Sequence, residues 1–408
     1  MHDAPHPQPL SGIKVLELGQ LVAGPMAGTW LAWLGADVIK VEPPGGDPIR
    51  TWRGVEDGVS LWWRTLGRNK RCISLDLRSD EGRAIVRRLV AEVDVLVENF
   101  RPGTLERWGL DPEQLRREHP QLVVARVSGF GQSGPYARRP GYASVCEAMG
   151  GLRHLTGHPG EPPVRTNLSL GDSLAALHTA LGIMTALYHR DARHGGGQIV
   201  DSAIAEAVMT MTESLIPEQD RLGHTRGPSG STITGVVPSN AYPCADGKWL
   251  VIGANGESLF KRLCGVIERP DLATEAYASN TQRVAARDLI DGAIGQWTSA
   301  RTQAEAMVAL AEAEVPFGPI YSSADIVADP HYQARQIFES VQVNGRPLKL
   351  SPLGPKLSAT PGRTHWAGPT AVGAHTDEVL GELLGLPLAE LEALAEAGVI
   401  VRGAPESP

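Results

Sequence analysis

The sequence predicts an α/β fold in which helices cover both faces of a mostly parallel sheet, followed by a smaller α+β unit. Short apolar runs alternate with helical patterns through the first 200 of the 408 residues, which is typical of parallel sheets. The composition then changes to Gly, Ser, Thr and Pro at residues 217–235, where we place a boundary. Beyond it, residues 240–253 predict a β-hairpin that turns at Asp246-Gly247.

Apolar runs predict the strands of the first part. They are residues 13–18, 37–42, 72–77, 94–100, 122–127 and 198–200. Because helical patterns separate most of these runs, we expect the strands to lie side by side in parallel.

Helices are predicted where apolar residues recur at helical spacing. They follow Gly24-Pro25 and Ser79, and they span residues 173–190, 203–215, 257–266, 283–297, 302–313, 376–384 and 388–396. Gly35 suits the left-handed position after the first helix, and Ser79 and Thr376 suit N-caps. The chain after Pro316 is predicted to be irregular until the last two helices.

The composition argues against several classes of protein. A formal net charge of -8 opposes a general surface for nucleic acid or anionic membrane. The four cysteines lie far apart without a CxxC pair, so we expect reduced core thiols. The segment MHDAPHPQPL has no apolar core, and no apolar run reaches the roughly 18 residues of a membrane helix. These features predict a cytoplasmic protein.

Two motifs match a cofactor or metal pattern only formally. Residues 129–134 (GFGQSG) fit the dinucleotide fingerprint, but Pro135 and the following RRPG oppose the helix that this fingerprint needs. His154 and His158 lie four residues apart, yet Gly157 beside them opposes a regular helix. We therefore expect neither nicotinamide binding nor a metal site.

Asp172 opens the long helix predicted at 173–190, and two interpretations compete. An Asp in this position is most often an N-cap. The same geometry holds a carboxylate as an anion among free backbone N–H groups, where it can attack a thioester carbonyl.

Four basic residues are candidates to meet the phosphates of an acyl-CoA. They are Arg71, Arg78, Arg101 and Arg107. The alternative, which the residues alone favour, is that they are solvated surface charges.

The sequence resembles the family III CoA-transferases, the group that includes formyl-CoA:oxalate CoA-transferase and α-methylacyl-CoA racemase. Seven segments occur in the family's order along nearly the whole chain. They are LSGIKVLELGQLVAGP (10–25), LGADVIKVEPPGGD (34–47), NKRCISLDL (69–77), DVLVENFRPGTLERWGL (94–110), SGFGQSGPYARRPGY (128–142), GDSLAALHTALGIMTALYHR (171–190) and GAHTDEVLGELLG (373–385). The resemblance implies a Rossmann-like large domain from residues 1–216 and 326–408, a small domain from 217–325, and an interlocked homodimer.

The resemblance also implies the residues of the active site. It makes Asp172 the nucleophile and places CoA against Val22, Ala23, Leu75, Arg78, Asn99, Phe100, Arg107 and Tyr142. Pro43 departs from the family, since a related enzyme has an Arg there that holds the nucleotide. Racemases of the family have a His at the position of Tyr142, and this substitution favours transfer over racemisation.

The implied reaction is transfer of CoA between carboxylic acids through an aspartyl-CoA thioester, with no cofactor beyond the CoA substrate. The resemblance favours succinyl-CoA as donor and a dicarboxylate as acceptor, with a racemase or a formyl-CoA:oxalate enzyme as alternatives. Arg165 is a candidate for the distal carboxylate of the acid, or else a structural residue. Residues 253–256 (GANG) are a candidate lid, or else an ordinary turn.

Overall fold

Thirteen strands are found in residues 7–404, the part of the chain that this computed structural model describes. They are β1 (Lys14–Glu17), β2 (Asp37–Glu42), β3 (Val55–Glu56), β4 (Val59–Ser60), β5 (Lys70–Ser74), β6 (Val95–Glu98), β7 (Val123–Ser128), β8 (Ile199–Ala203), β9 (Ser239–Pro243), β10 (Trp249–Gly253), β11 (Phe317–Pro319), β12 (Glu339–Val343) and β13 (Arg346–Leu350).

Eighteen α-helices lie in the same described range. They are α1 (Ala23–Trp33), α2 (Leu61–Leu66), α3 (Asp80–Val90), α4 (Thr104–Arg107), α5 (Pro112–Glu118), α6 (Ala143–Met149), α7 (Leu152–Leu155), α8 (Leu170–Ala192), α9 (Ile204–Met209), α10 (Leu215–Leu222), α11 (Glu257–Val266), α12 (Asn280–Ala285), α13 (Arg287–Ser299), α14 (Gln303–Glu312), α15 (Ser323–Ala328), α16 (Pro330–Ala334), α17 (Thr376–Leu384) and α18 (Leu388–Glu396).

The described chain divides into two units. The first takes the residues up to Leu152, then Thr166–Glu213, and the chain from Gln336 onward. The second takes Arg153–Arg165 and Ser214–Arg335. The domain ranges that the sequence suggests, 1–216, 217–325 and 326–408, stay a prediction. The first six residues of MHDAPHPQPL lie outside the described residues.

The first unit is organised around a six-stranded sheet with the order β5-β2-β1-β6-β7-β8. Every neighbouring pair is parallel. Numbered among these six strands alone, the order is 3-2-1-4-5-6, the Rossmann arrangement, whose direction of winding reverses between β1 and β6. The prediction of a Rossmann-like α/β domain is confirmed, and ligands of such sheets bind at the carboxyl ends of the strands beside this reversal.

Helices cover both faces of the sheet because successive strand residues point in opposite directions. Leu16, Ile39 and Leu96 face a core that includes Ile85 and Val86 of α3. Their neighbours in the chain, Val15, Val38 and Val95, face a second core on the other side, with α1 and α8. The second core contains Leu31, Ala32, Ile183, Ala186 and Leu187.

Helix α8 is the longest helix of the described chain, at 23 residues. By length and composition alone it would be long enough to cross a membrane. One face is a small-residue stripe, including Ala175, Thr179 and Ala186, which is buried. Because small side chains allow close approach, α8 packs against α1 and α9 along this stripe. Its other face carries Leu181 and Tyr188, which are 66% and 57% exposed.

The second unit is α+β, as the sequence predicts. Strands β9, β10 and β11 form an antiparallel sheet in the order β11-β10-β9. The hairpin turns at Gly247, whose φ of 75° is a left-handed conformation that suits glycine. Helices α11, α13 and α14 contribute Leu263, Ile294 and Leu310 to its core.

Several elements differ from the sequence predictions. Thr376 is not an N-cap: it is the first residue of α17, and its hydroxyl accepts the Ser74 N–H and donates to the Val401 carbonyl. The single helix predicted at 203–215 is the shorter α9, followed by a separate α10. The chain after Pro316 contains the hairpin β12–β13, whose strands are 5 residues long and carry a mixed polar pattern (ESVQV and RPLKL).

Candidate active site

A cavity of about 390 Å³ lies at the carboxyl ends of the central strands and contains Asp172. We call it the Asp172 cavity. Its lining comes from the loops after β1, β6 and β7, together with the first turn of α8. The lining residues are Gln20, Leu21, Val22, Ala23, Trp52, Asn99, Phe100, Arg101, Pro102, Val127, Ser128, Gly129, Arg139, Pro140, Gly141, Tyr142, Ser169, Asp172 and Ile204. The cavity therefore occupies the place that the sheet order favours for a ligand.

Asp172 is the third residue of α8 rather than its N-cap, so the N-cap interpretation is wrong. The helix begins at Leu170, and Ser169 precedes it. The half-buried carboxylate still lies in the first turn, where the helix dipole favours an anion. The sequence placed the start three residues too late because Gly171 interrupts the apolar pattern.

Gly171 fixes the first turn of α8 against α6. Its N–H donates to Oε1 of the buried Glu147 at 3.0 Å. A Cβ at Gly171 would stand 3.0 Å from Cγ of Glu147 and 3.1 Å from a methyl of Ile204, so only glycine fits without displacing a neighbour. The pair Gly171-Asp172 thus presents the carboxylate from a turn that is anchored on one side.

The thiol of Cys146 lies in the field of this carboxylate. Burial is the larger effect and, with the charges of Asp172 and Glu147, raises the pKa of Cys146 to about 11. The thiol donates to the Gly129 carbonyl at 3.3 Å. Cys146 is therefore a neutral packing residue beside the carboxylate.

The loop between β1 and α1 forms one wall of the Asp172 cavity, and side chains hold its consecutive peptides. Asn99 Oδ1 accepts the Gln20 N–H at 2.8 Å, and Asn99 Nδ2 donates to the Gln20 carbonyl at 2.8 Å. Lys40 Nζ donates to the Gly19 carbonyl at 2.5 Å. Asp47 accepts the Leu21 N–H at 3.2 Å.

These contacts stabilise an unusual backbone conformation at Leu21. Its φ is 64°, in the left-handed region, which costs a non-glycine residue roughly 1–2 kcal/mol. The loop therefore keeps this shape only because the surrounding side chains hold it. The wall of the cavity is preorganised before any ligand binds.

Buried charged residues also stabilise the loop between β1 and α1. Lys40 Nζ lies 3.0 Å from Asp47 and 3.3 Å from Glu17, and Lys70 Nζ lies 2.8 Å from Glu17. Burial opposes the charge on Lys40, but Asp47, Glu17 and Glu42 outweigh it and raise the pKa of Lys40. The lysine is thus held as a cation inside the protein.

A second cavity, of about 670 Å³, lies beside the first and shares Gln20 and Phe100 with it. We call it the Leu75 cavity. Its lining residues are Leu18, Gln20, Val41, Glu42, Pro43, Pro44, Gly45, Pro48, Leu75, Asp76, Leu77, Arg78, Phe100, Trp108 and Gly398. An elongated ligand could occupy both cavities, passing Phe100.

Phe100 is held between the two cavities. Its ring stands edge-on to Trp108, with 5.1 Å between centroids. Its N–H donates to Glu98 Oε2 at 2.8 Å, and Glu98 Oε1 accepts from Arg126 Nε at 2.8 Å. Burial is the largest effect on Glu98 and raises its pKa to about 7 despite Arg126.

The structure brings most of the residues implied by the resemblance to these cavities. Val22, Ala23, Asn99, Phe100, Tyr142 and Asp172 line the Asp172 cavity, and Leu75, Arg78 and Phe100 line the Leu75 cavity, as does Pro43. Tyr142 is 66% exposed at the mouth of its cavity. Arg107 lines neither cavity and donates to Thr104 Oγ1 at 3.0 Å.

Other candidates have different surroundings. Arg71 pairs with Asp37 and Glu382, so its charge is already neutralised within the fold. Arg101 lines the Asp172 cavity. Arg165 is exposed in the second unit. In residues 253–256 of that unit, the Asn255 carbonyl accepts from Arg283. The two alternatives for residues 253–256, a lid or an ordinary turn, stay open.

Gly129, the first glycine of the GFGQSG motif, serves packing. No helix follows Gly134 directly, since α6 begins only at Ala143. A Cβ at Gly129 would stand 2.9 Å from the Cα of Gly141. Gly129 thereby brings the segment that carries Arg139 and Tyr142 to the cavity. Among residues 7–404 there is no cluster of His, Cys, Asp and Glu that could hold a metal ion.

The residues that position the site are not among those predicted from the sequence. Lys40 and Asp47 are two of them, although Lys40 is a charged residue in the middle of an apolar strand, DVIKVE. A charge in a strand that is covered on both faces must find a buried partner, and this could have identified it. Trp52 and Arg139 gave no comparable signal, because loops from distant parts of the chain bring them to the cavity.

Comparison with known proteins assigns this chain to a family. The model described as CoA-transferase family III matches residues 10–376. The succinyl-CoA–D-citramalate CoA-transferase of Chloroflexus aurantiacus is 47% identical over 97% of this chain and 98% of its own length. The succinyl-CoA–L-malate CoA-transferase alpha subunit of Chloroflexus aurantiacus is 40% identical over 96% of this chain and 92% of its own length.

A solved structure agrees with these relatives. A CAIB/BAIF family protein from Brucella suis is 34% identical, with a TM-score of 0.80, and the match covers 92% of this chain and 99% of that one. The chain is an enzyme that belongs to CoA-transferase family III.

Proposed function

We propose that this enzyme transfers CoA from succinyl-CoA to a dicarboxylic acid, with Asp172 as the covalent nucleophile. The observation that carries the proposal is that Asp172 shares one cavity with the loops after β1 and β6, at the reversal of the sheet. The two adjoining cavities suit a long ligand, with the nucleotide end in the Leu75 cavity and the thioester beside Asp172.

The first half of the reaction loads CoA onto the enzyme. The Asp172 carboxylate attacks the succinyl thioester carbonyl, the C–S bond breaks, and a mixed anhydride and CoA thiolate form. The thiolate then attacks the aspartyl carbonyl of the anhydride. The C–O bond to succinate breaks, leaving an aspartyl-CoA thioester and free succinate.

The second half reverses these steps with a new acid. The acceptor carboxylate attacks the aspartyl thioester and forms a second mixed anhydride with release of CoA thiolate. The thiolate attacks the acceptor's own carbonyl and regenerates the Asp172 carboxylate. Each step exchanges one activated acyl group for another, so the proposal requires no cofactor beyond the CoA substrate.

The choice of substrates rests on the relatives. The citramalate and malate enzymes named above both use succinyl-CoA, according to their names, and both acceptors are dicarboxylates. The cations Arg101 and Arg139 in the lining of the Asp172 cavity suit anionic substrates.

We also propose that the enzyme is a homodimer, and an exposed apolar face on the first unit supports this. Leu177, Leu181 and Tyr188 project from α8 at helical spacing, and all three are exposed. Val145 and Met149 are exposed on α6, which packs against α8. Exposed apolar side chains grouped on two packed helices favour an interaction site.

One experiment tests the reaction and the nucleophile together. The enzyme is incubated with succinyl-CoA and a panel that contains citramalate, malate, glutarate and oxalate, and new thioesters are read by mass spectrometry. With succinyl-CoA alone, hydroxylamine should trap a hydroxamate at Asp172. Absence of any new thioester would contradict the transferase proposal. Exchange of an α-proton of a 2-methylacyl-CoA in deuterated water, without an acceptor, would indicate a racemase instead.

A further inference from the structure

A third cavity, of about 160 Å³, lies beside the first turn of α8. We call it the Arg53 cavity. Its lining residues are Val22, Met26, Thr29, Arg53, Trp62, Thr65, Leu66, Leu168, Ser169, Leu170, Ser173 and Leu353. Val22 and Ser169 also line the Asp172 cavity, so the two cavities meet at the turn that carries Asp172.

Arg53, an exposed residue, is the one charged side chain in this lining, and it lies over an aromatic ring. The guanidinium carbon lies 3.7 Å above the centroid of the Trp62 ring, at cation–π distance. Trp62 in turn contacts Trp52, which lines the Asp172 cavity, with 6.3 Å between the ring centroids.

Several cations of this part of the fold already have acidic partners, whereas Arg53 has none among the described residues. Arg50 pairs with Glu42, Lys70 pairs with Glu17, and Arg71 pairs with Asp37. Within residues 7–404, the Arg53 guanidinium has a ring contact but neither an ion pair nor a hydrogen bond. A guanidinium offers a planar fork of donors that matches a carboxylate.

The size and walls of the cavity restrict what can enter. At about 160 Å³ it is smaller than the roughly 300–1,000 Å³ of typical ligand pockets. It is therefore too small for a nucleotide, but a short aliphatic chain fits. Val22, Met26 and Leu66 provide apolar walls for methylene groups, and the cation stands at one side.

We propose that Arg53 determines the specificity for dicarboxylates by binding the distal carboxylate of the acid, while the reacting carboxylate faces Asp172. This inference rests on the proposed transferase function and adds the residue that distinguishes a dicarboxylate from a monocarboxylate of similar length. The acid lies across the junction at Val22 and Ser169, with its methylene groups in the Arg53 cavity.

Internal competition tests the proposal. The enzyme receives succinyl-CoA with equal concentrations of glutarate and butyrate, and the ratio of glutaryl-CoA to butyryl-CoA is read by mass spectrometry. Because both acids compete for the same loaded enzyme, the ratio does not depend on how the variant binds the donor. We expect Arg53→Gln to lower this ratio 10- to 100-fold, the range expected for losing a hydrogen bond to a charged group. Arg53→Lys should restore part of it.

Control variants separate the possible outcomes. Arg117→Gln removes an exposed charge on α5, outside the three cavities, and should leave the ratio unchanged. An unchanged ratio in Arg53→Gln would overturn the proposal, and so would a shift that occurs in Arg139→Gln instead.

A binding measurement keeps the inference testable if the wild-type enzyme transfers no CoA at all. That result would contradict the proposed function but not, by itself, the role of Arg53. Glutarate should then still raise the thermal unfolding midpoint of the wild type, and the rise should be lost in Arg53→Gln. No rise in the wild type would overturn the proposal.

Discussion

The side-chain amide of Asn99 makes hydrogen bonds to both backbone polar groups of Gln20. It accepts the backbone N–H and donates to the backbone carbonyl, each at 2.8 Å. Asn99 follows β6 and Gln20 follows β1, so this pair joins the two strands between which the sheet reverses. The family resemblance assigns Asn99 to CoA, and it does line the Asp172 cavity. Its amide, however, is already used to fix the loop that forms the cavity wall.

Changing Asn99 to Asp should therefore damage the site through the loop. The carboxylate can still accept the Gln20 backbone N–H, but it repels the Gln20 carbonyl, which loses its donor. Leaving a buried acceptor without its donor costs about 1–3 kcal/mol. We expect kcat/KM for the acyl-CoA donor to fall about 10- to 100-fold in steady-state assays. Asn344→Asp introduces the same charge at an exposed turn outside the described cavities, where the amide donates to the exposed Asp57 at 3.1 Å, and serves as the control. Wild-type kcat/KM in Asn99→Asp would show that the loop does not need this pair.

Asp172→Asn should abolish turnover. The amide cannot form the anhydride, so we expect kcat to fall at least about 10³-fold. The helix loses the favourable effect of an anion in its first turn, about 0.3–1 kcal/mol. Asp191→Asn makes the same substitution at an exposed position near the other end of α8, and this variant should keep wild-type activity. Retained turnover in Asp172→Asn would remove the covalent mechanism.

The sequence predicts repeated local patterns well and long-range contacts poorly. Residues 37–42 and 257–266 were predicted with the bounds that β2 and α11 have, because periodicity and flanking residues mark both ends. The resemblance to the family predicts Asp172 and Asn99 as residues of the active site. Nothing local could show that Lys40, from the middle of a strand, reaches the Gly19 carbonyl, or that Arg53 lies over Trp62. These contacts depend on how distant segments meet.

The buried Glu98 should make the stability of the enzyme depend on pH. Burial raises the pKa of Glu98 to about 7, whereas an unfolded Glu titrates near 4.3. The folded state thus binds more protons between these values, so the free energy of unfolding falls as pH rises from about 4.3 to 7. This group alone contributes a decrease of about 3 kcal/mol.

Comparison with a neutral variant isolates this contribution. Urea unfolding at pH 4.5 and pH 7.5 should show that Glu98→Gln loses about 3 kcal/mol less than the wild type over the same interval. Glu113→Gln, on the exposed side of α5, should follow the wild type. Equal pH dependence in Glu98→Gln and the wild type would mean that folding does not raise the pKa of Glu98.

Lys40→Met should destabilise the first unit strongly. The substitution removes the cation that lies 3.0 Å from the buried Asp47 and leaves the Gly19 carbonyl without its donor. Breaking a buried ion pair from one side costs about 3–5 kcal/mol. We expect a loss of this size in the free energy of unfolding measured with urea. Lys349→Met, at an exposed position, should change it by less than about 0.5 kcal/mol. Equal stability of the two variants would contradict a structural role for the Lys40–Asp47 pair.

The exposed face of α8 should hold two chains together. Light scattering after gel filtration should give twice the mass of one chain for the wild type. Leu181 is 66% exposed in the single chain, and a glutamate there would be buried without a partner in a dimer, which costs several kcal/mol. Leu181→Glu should therefore shift the population to the monomer. Leu388→Glu, on α18 and 58% exposed, tests whether any new surface charge does the same. A wild-type monomer at micromolar concentration would contradict the homodimer. A dimer that survives Leu181→Glu would show that the two chains meet through another surface.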